Sequence, residues 1–188
     1  MTTTVLTIII AVLVLAVGLF VLRAVPSVHA YTRFKGKRLV TCPETHQCAA
    51  VDVAAGEAAI GTFLNEPTLR LVECSRWPER QSCGQDCLKQ LEIDPANCLV
   101  WNIVAKWYEG KNCVFCHKPI ELRHLDHAPA LLGPDHKTAE WKDVRPEELP
   151  DILATHQPVC WNCHVAENFR RLHPELVTDR RLEPKRMM

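Results

Sequence analysis

Hydrophobic and polar positions divide the chain into two unequal parts. Val5 to Leu22 is a run of 18 residues without a charge, in which only Thr7 and Gly18 depart from strongly apolar chemistry. As a helix rising about 1.5 Å per residue it is roughly 27 Å long, close to the roughly 30 Å of a bilayer's hydrocarbon core. The pattern predicts a transmembrane anchor over residues 1–22. A cleaved signal peptide is the competing reading, with Val28-His29-Ala30 as its cleavage site. The leading MTTT lacks the positive charge of such a peptide, and the apolar run is longer than its usual core, so a retained anchor fits better.

After the run the pattern shortens. Two nearly identical segments, Arg38-Leu-Val-Thr-Cys42 and Arg70-Leu-Val-Glu-Cys74, each predict a strand that ends on a cysteine. Pro43-Glu44-Thr45 predicts a turn, and Ala49 to Val53 a returning strand. Val53 to Leu64 reads as a helix weakened by Gly56 and Gly61. Residues 83–92 read as a helix start that sets Cys83 and Cys87 one turn apart on one face. Pro95 opens a helix through Glu109, with Leu99, Val100, Ile103, Val104 and Trp107 at helical spacing and Gly110 as its stop. Residues 118–140 read as loop, Pro146 to Thr155 as a short helix, and Cys160 to His173 as a helix ended by Pro174. Arg180 to Met188 read as a polar, disordered tail.

The fold class expected is therefore α+β: a single transmembrane helix followed by a small cysteine-rich domain. Residues 23–38 form a basic juxtamembrane stalk, 39–98 a cysteine-rich subdomain, 99–179 a second cysteine subdomain, and 180–188 the tail.

Charge adds an orientation. Arg23, Arg33, Lys35, Lys37 and Arg38 follow the apolar run with no acid among them, and the N-terminal flank carries only its amino group. The positive-inside rule puts the C-terminal side in the cytoplasm of a bacterial-type inner membrane. Those five are the cations before residue 39, so the remainder holds 17 cations against 22 acids, a net charge of −5. An acidic body on a basic stalk suits a domain that stands off anionic lipid while its stalk touches it. A plain stop-transfer flank explains the same cations. Over the whole chain 22 cations balance 22 acids, which argues against a nucleic-acid partner.

Cysteine changes the picture most, with 10 in 188 residues. That density calls for disulfides, metal or haem. Four form two CxxC pairs, Cys113/Cys116 and Cys160/Cys163. Two such pairs are a standard way to direct four thiolates at one tetrahedral zinc ion. Cys42, Cys74, Cys83 and Cys87 form a looser set, a second candidate site for zinc or an iron–sulfur cluster; buried free thiols are its plain alternative. Cys48 and Cys98 are left as packing thiols.

The first pair reads CVFCHKPI and the second opens a helix. A knuckle followed by a CxxC on a first helical turn resembles the treble-clef family of zinc modules, and the CxxCxKPI knuckle resembles that of LIM-type fingers. The resemblance covers two short motifs. It implies a metal-stabilised, treble-clef or zinc-ribbon-like domain with structural zinc on Cys113, Cys116, Cys160 and Cys163.

The same pairs carry a rival. Each is followed by histidine, His117 and His164, and CxxCH is the attachment signature of c-type haem. This resembles a multihaem cytochrome and implies two haems, with His117 and His164 as proximal ligands and His156 as a distal one. Such a protein is a periplasmic, membrane-anchored electron carrier. Against it stand the stalk cations, which point to the cytoplasm, and six further cysteines, which would need three disulfides outside it.

Other constellations are weaker. Cys160-Trp-Asn-Cys163 as a thioredoxin-type dithiol lacks the preceding βαβ strand. His124-Leu-Asp-His127 suits a solvated loop better than a metal site. Glu147, Glu148 and Asp151 read as surface charge on a short helix. The five tryptophans read as core and interface residues. No Gly-rich phosphate loop, GxSxG or HExxH occurs. The reading that results is a single-pass membrane protein with a cytoplasmic domain binding one or two Zn²⁺. It is not an enzyme but an accessory or scaffold subunit beside other membrane-complex subunits.

Overall fold

The structure is a computed structural model and describes residues 2–66, 68–79, 82–120 and 129–176. It falls into two compact units, residues 1–104 and 105–188. Both combine helices with a small antiparallel sheet.

The first unit opens with α1 (Thr2–Phe34), one continuous helix that carries the apolar run and most of the basic segment. It is long and apolar enough to cross a membrane, and none of its most apolar 18-residue window is buried. A core helix of a soluble domain would bury that window, so α1 is not such a helix. Pro26 lies inside α1 just beyond the run, where Ser27 Oγ donates to the Arg23 carbonyl at 3.1 Å.

Then come β1 (Arg38–Thr41), β2 (Cys48–Val53), α2 (Ala55–Leu64) and β3 (Leu71–Cys74), with sheet order β1-β2-β3. β1 faces β2 with Leu39 opposite Ala50 and Thr41 opposite Cys48; β2 faces β3 with Val51 opposite Cys74. Val40, Ala49, Val51 and Leu71 close over Leu91 of α3 (Leu88–Ile93) to make the core. The β-branched alternation in RLVT and AVDV explains both the strands and the buried face.

Two expected helices differ. The helix expected over 83–92 begins only at Leu88, because Gln85 holds a left-handed φ of 58° and its side chain accepts the Leu71 N–H at 3.0 Å. Cys83 therefore precedes the helix rather than sharing a helical face with Cys87. The helix expected from Pro95 to Glu109 is two, α4 (Pro95–Cys98) and α5 (Val100–Tyr108). Leu99 between them is extended and bridges to Arg38, and the Val100 N–H donates to the Lys37 carbonyl at 3.1 Å. A tertiary strand-like pairing there outweighs one more helical turn.

The basic segment is built into this unit. Arg38 is 2% exposed and donates to the carbonyls of Pro95, Arg33 and Lys35. Lys37 lies 3.8 Å from Asp52 and 3.6 Å from Glu73.

The second unit takes up at the end of α5. The region expected to be loop holds a hairpin instead, β4 (Ala130–Leu132) and β5 (Thr138–Glu140). After α6 (Leu149–Thr155) comes a third strand, β6 (Gln157–Val159), and the sheet order is β5-β4-β6. The strands have three residues each, too short for an alternation to register in sequence. A 3-10 turn over Pro146–Glu148 leads into α6, which tolerates Pro150 in its first turn, where its missing N–H costs nothing. α7 (Trp161–Leu172) closes the unit. The Trp107 indole donates to the Leu153 carbonyl at 2.9 Å. His124, His127 and the 180–188 tail lie outside the described residues.

Candidate metal centre

Cys113 opens a tight loop. Its N–H donates to the Lys118 carbonyl at 2.9 Å, the His117 N–H donates to the Cys113 carbonyl at 2.9 Å, and Asn112 bridges to Pro119. His117 closes the turn with a left-handed φ of 56°. This folds Cys116 back beside Cys113. The second pair arrives from β6: Cys160 caps α7 with an extended backbone, and Cys163 lies in its first turn. The Val114 N–H donates to the Pro158 carbonyl at 3.0 Å, tying loop and strand together.

The outcome is one cluster. The four sulfurs of Cys113, Cys116, Cys160 and Cys163 all lie within 4.8 Å of one another, a group able to hold a metal ion. Cys116 Sγ and Cys160 Sγ are 3.7 Å apart, and both residues, like all ten cysteines, are free. A tetrahedral ion with metal–sulfur bonds of about 2.3 Å separates its sulfurs by about 3.8 Å, so the spacing suits such an ion. Cys113 is fully buried among Ala130 and Val159, with Ile120 and Leu132 packed around them.

The electrostatics are those of thiols competing for charge. Burial opposes ionisation of Cys113, but the N–H groups of Cys116, Cys160 and Phe115 outweigh it and draw its pKa down to about 6. Burial pushes Cys160 up, and burial followed by hydrogen bonds from the other thiols pushes Cys163 up. One sulfur holds charge easily and its neighbours resist it. A divalent cation removes that conflict, since it lets all four ionise.

The histidines of the two CxxCH sequences do not join the cluster. His117 points into solvent from its left-handed turn. His164 is buried beside Trp161, ring centroids 5.5 Å apart, with Asn168 Nδ2 3.1 Å from its Nε2. His156, half-buried at the end of α6, has Nδ1 2.9 Å from Thr155 Oγ1. Two haems need two separated thiol pairs, each with a free imidazole; here both pairs converge on one point.

Cys42, Cys74, Cys83 and Cys87 meet elsewhere, lining one cavity of the first unit, though the cluster at 113–163 is the group drawn within 4.8 Å among the described residues. Cys98 packs against the first core and Cys48 is half-buried opposite Thr41. Sequence reasoning missed Tyr108, whose buried hydroxyl donates to the Ala130 carbonyl at 2.7 Å beneath the sulfurs; a lone tyrosine at a helix end carries no signal for that.

Compared with family models, with curated protein sequences and with solved structures, the chain matches none.

Proposed function

We propose that this is a single-pass membrane protein whose cytoplasmic domain holds a structural zinc ion in a treble-clef-like knuckle and helix, and that it serves as an accessory or scaffold subunit. The observation that carries the reading is the convergence of four free sulfurs, two from a β-type knuckle and two from the start of α7. A closed set of four thiolates leaves no coordination position for a substrate, which is the mark of a structural rather than a catalytic site. Free thiols in this number suit a reducing compartment.

Two features support the partners. α2 packs along α1: Phe63 meets Phe20 edge-on with centroids 6.2 Å apart, and Arg23 donates to the Phe63 carbonyl at 3.4 Å. Phe20 belongs to the apolar run, so the end of α2, with Ile60 63% and Leu64 59% exposed, reaches the depth of the lipid interface. In the second unit Val165, Phe169 and Leu172 line up on α7 at helical spacing and are left uncovered by the described residues, a stripe suited to a protein partner.

The test is metal analysis of the full chain in detergent, native and with His117→Asn and His164→Asn together. Zinc without covalent haem in both, and its loss with unfolding of the second unit in Cys163→Ser, is expected. A Soret band with a pyridine haemochrome, abolished by the histidine changes, overturns the zinc reading in favour of a periplasmic dihaem carrier.

A further inference from the structure

The loop at Cys42 repeats the loop at Cys113. The Cys42 N–H donates to the Gln47 carbonyl at 2.9 Å and the His46 N–H donates to the Cys42 carbonyl at 2.8 Å, as Cys113 does with Lys118 and His117. His46 is left-handed at φ 54°, as His117 is at 56°. Thr41 faces Cys48 across the strand pair, as Asn112 bridges to Pro119. In both loops the residue before the cysteine therefore pairs with the sixth residue after it. One position differs. Thr45 stands where the second loop has Cys116, and its buried hydroxyl finds no partner of full hydrogen-bond geometry.

The knuckle thus presents one sulfur rather than two, and the other three come from neighbouring elements. Cys74 ends β3, Cys83 receives the Gln85 N–H on its sulfur at 3.3 Å, and Cys87 is buried just ahead of α3. All four line one cavity of about 20 Å³, with Thr45 and Trp77 among its other walls. A cavity of that size holds roughly one water-sized body, which is a single ion rather than a four-iron cluster.

We infer that Cys42, Cys74, Cys83 and Cys87 form a second structural site for a single divalent, thiolate-seeking metal ion of the zinc class. The charges already lean that way. The Thr45 hydroxyl and N–H, with the N–H of Glu44, lower the Cys42 pKa. Burial, then the charges of Cys83, Cys74 and Cys42, push Cys87 up to about 11. Those three sulfurs therefore act on Cys87 across the cavity, and the four close on an ion that offsets their repulsion. This site stands independently of the one at 113–163, since no residue is shared.

The experiment uses the native full chain in detergent, dialysed free of loose zinc. Zinc is counted per chain, and the ten cysteines are alkylated before and after a strong chelator, with each site read by mass spectrometry. The expected result is two zinc ions per chain, with Cys48 and Cys98 open to alkylation and the other eight protected until chelation. One ion per chain, with Cys42, Cys74, Cys83 and Cys87 alkylated as readily as Cys48, overturns the inference while leaving the first site intact. Iron with visible charge-transfer absorbance on these four cysteines overturns it also. Because no substitution is needed, failure to fold does not confuse the outcome.

Discussion

The Tyr108 hydroxyl is buried, and burial pushes its pKa well above the usual phenol value. Its hydrogen bond to Ala130 supports the strand on which Cys113 rests. Tyr108→Phe removes that donor and leaves the Ala130 carbonyl short of a partner, a loss of about 1–3 kcal/mol measured by denaturant unfolding, with metal content unchanged. The same residue sets a pH limit. An unfolded phenol ionises near pH 10 and the folded one resists, so stability is retained below about 10 and falls above it. The slope in that range should be shallower in Tyr108→Phe. Arg38 is a second residue with an outsized role. As a stalk cation it would be replaceable, but it is buried and spends its donors on three carbonyls, where burial also lowers its pKa. Arg38→Leu should therefore cost about 2–4 kcal/mol in the first unit, although it removes a charge from a buried place.

At the scale of elements, the two glycines of α2 make opposite predictions. Gly56 has open space where a side chain would stand, so Gly56→Ala should stabilise by up to about 1 kcal/mol. At Gly61 a Cβ would lie 2.5 Å from the Glu66 carbonyl oxygen, in the turn where the Glu66 N–H returns to the Gly61 carbonyl at 2.7 Å and Asn65 is left-handed. Gly61→Ala should destabilise the unit despite its better helix propensity; thermal unfolding of the two variants distinguishes them. Composition shows both glycines as weaknesses and gives no sign of the difference. The same boundary runs through the fold. The apolar run, the strands ending at Cys42 and Cys74, and α7 were legible because period and punctuation agree locally. The break at Leu99 was not, since it depends on a pairing with Arg38 that lies 61 positions earlier in the chain. The convergence of 113/116 with 160/163 was legible from spacing. The kinship of the Cys42 and Cys113 loops was half visible: CPETH and CVFCH share Cys-x-x-x-His, but Thr45 hides the knuckle. A left-handed residue at the fifth position is a backbone property, and histidine there does not announce it.

For the whole molecule, orientation decides whether the thiols can do what their geometry suits. Of the five cations behind the apolar run, Arg38 is locked into the fold and Lys37 lies beside Asp52 and Glu73. Arg23, Arg33 and Lys35 then carry the free part of the orienting charge. A reporter active only in the periplasm, fused after Met188, should be silent in the native chain; activity there would sink the cytoplasmic assignment. Replacing Arg23 and Lys35 with glutamine while adding three lysines after Met1 should invert the protein without touching Arg38. Arg33 is kept because its guanidinium donates to the Glu92 carbonyl at 3.3 Å. Inversion exposes ten free cysteines to an oxidising space, where the close sulfurs of Cys116 and Cys160 are placed to oxidise before a metal can bind. The inverted chain should therefore accumulate with disulfides and little zinc, and the native orientation with zinc and free thiols. Equal zinc content on both sides of the membrane would mean that metal capture outruns oxidation, and that the compartment does not govern this domain.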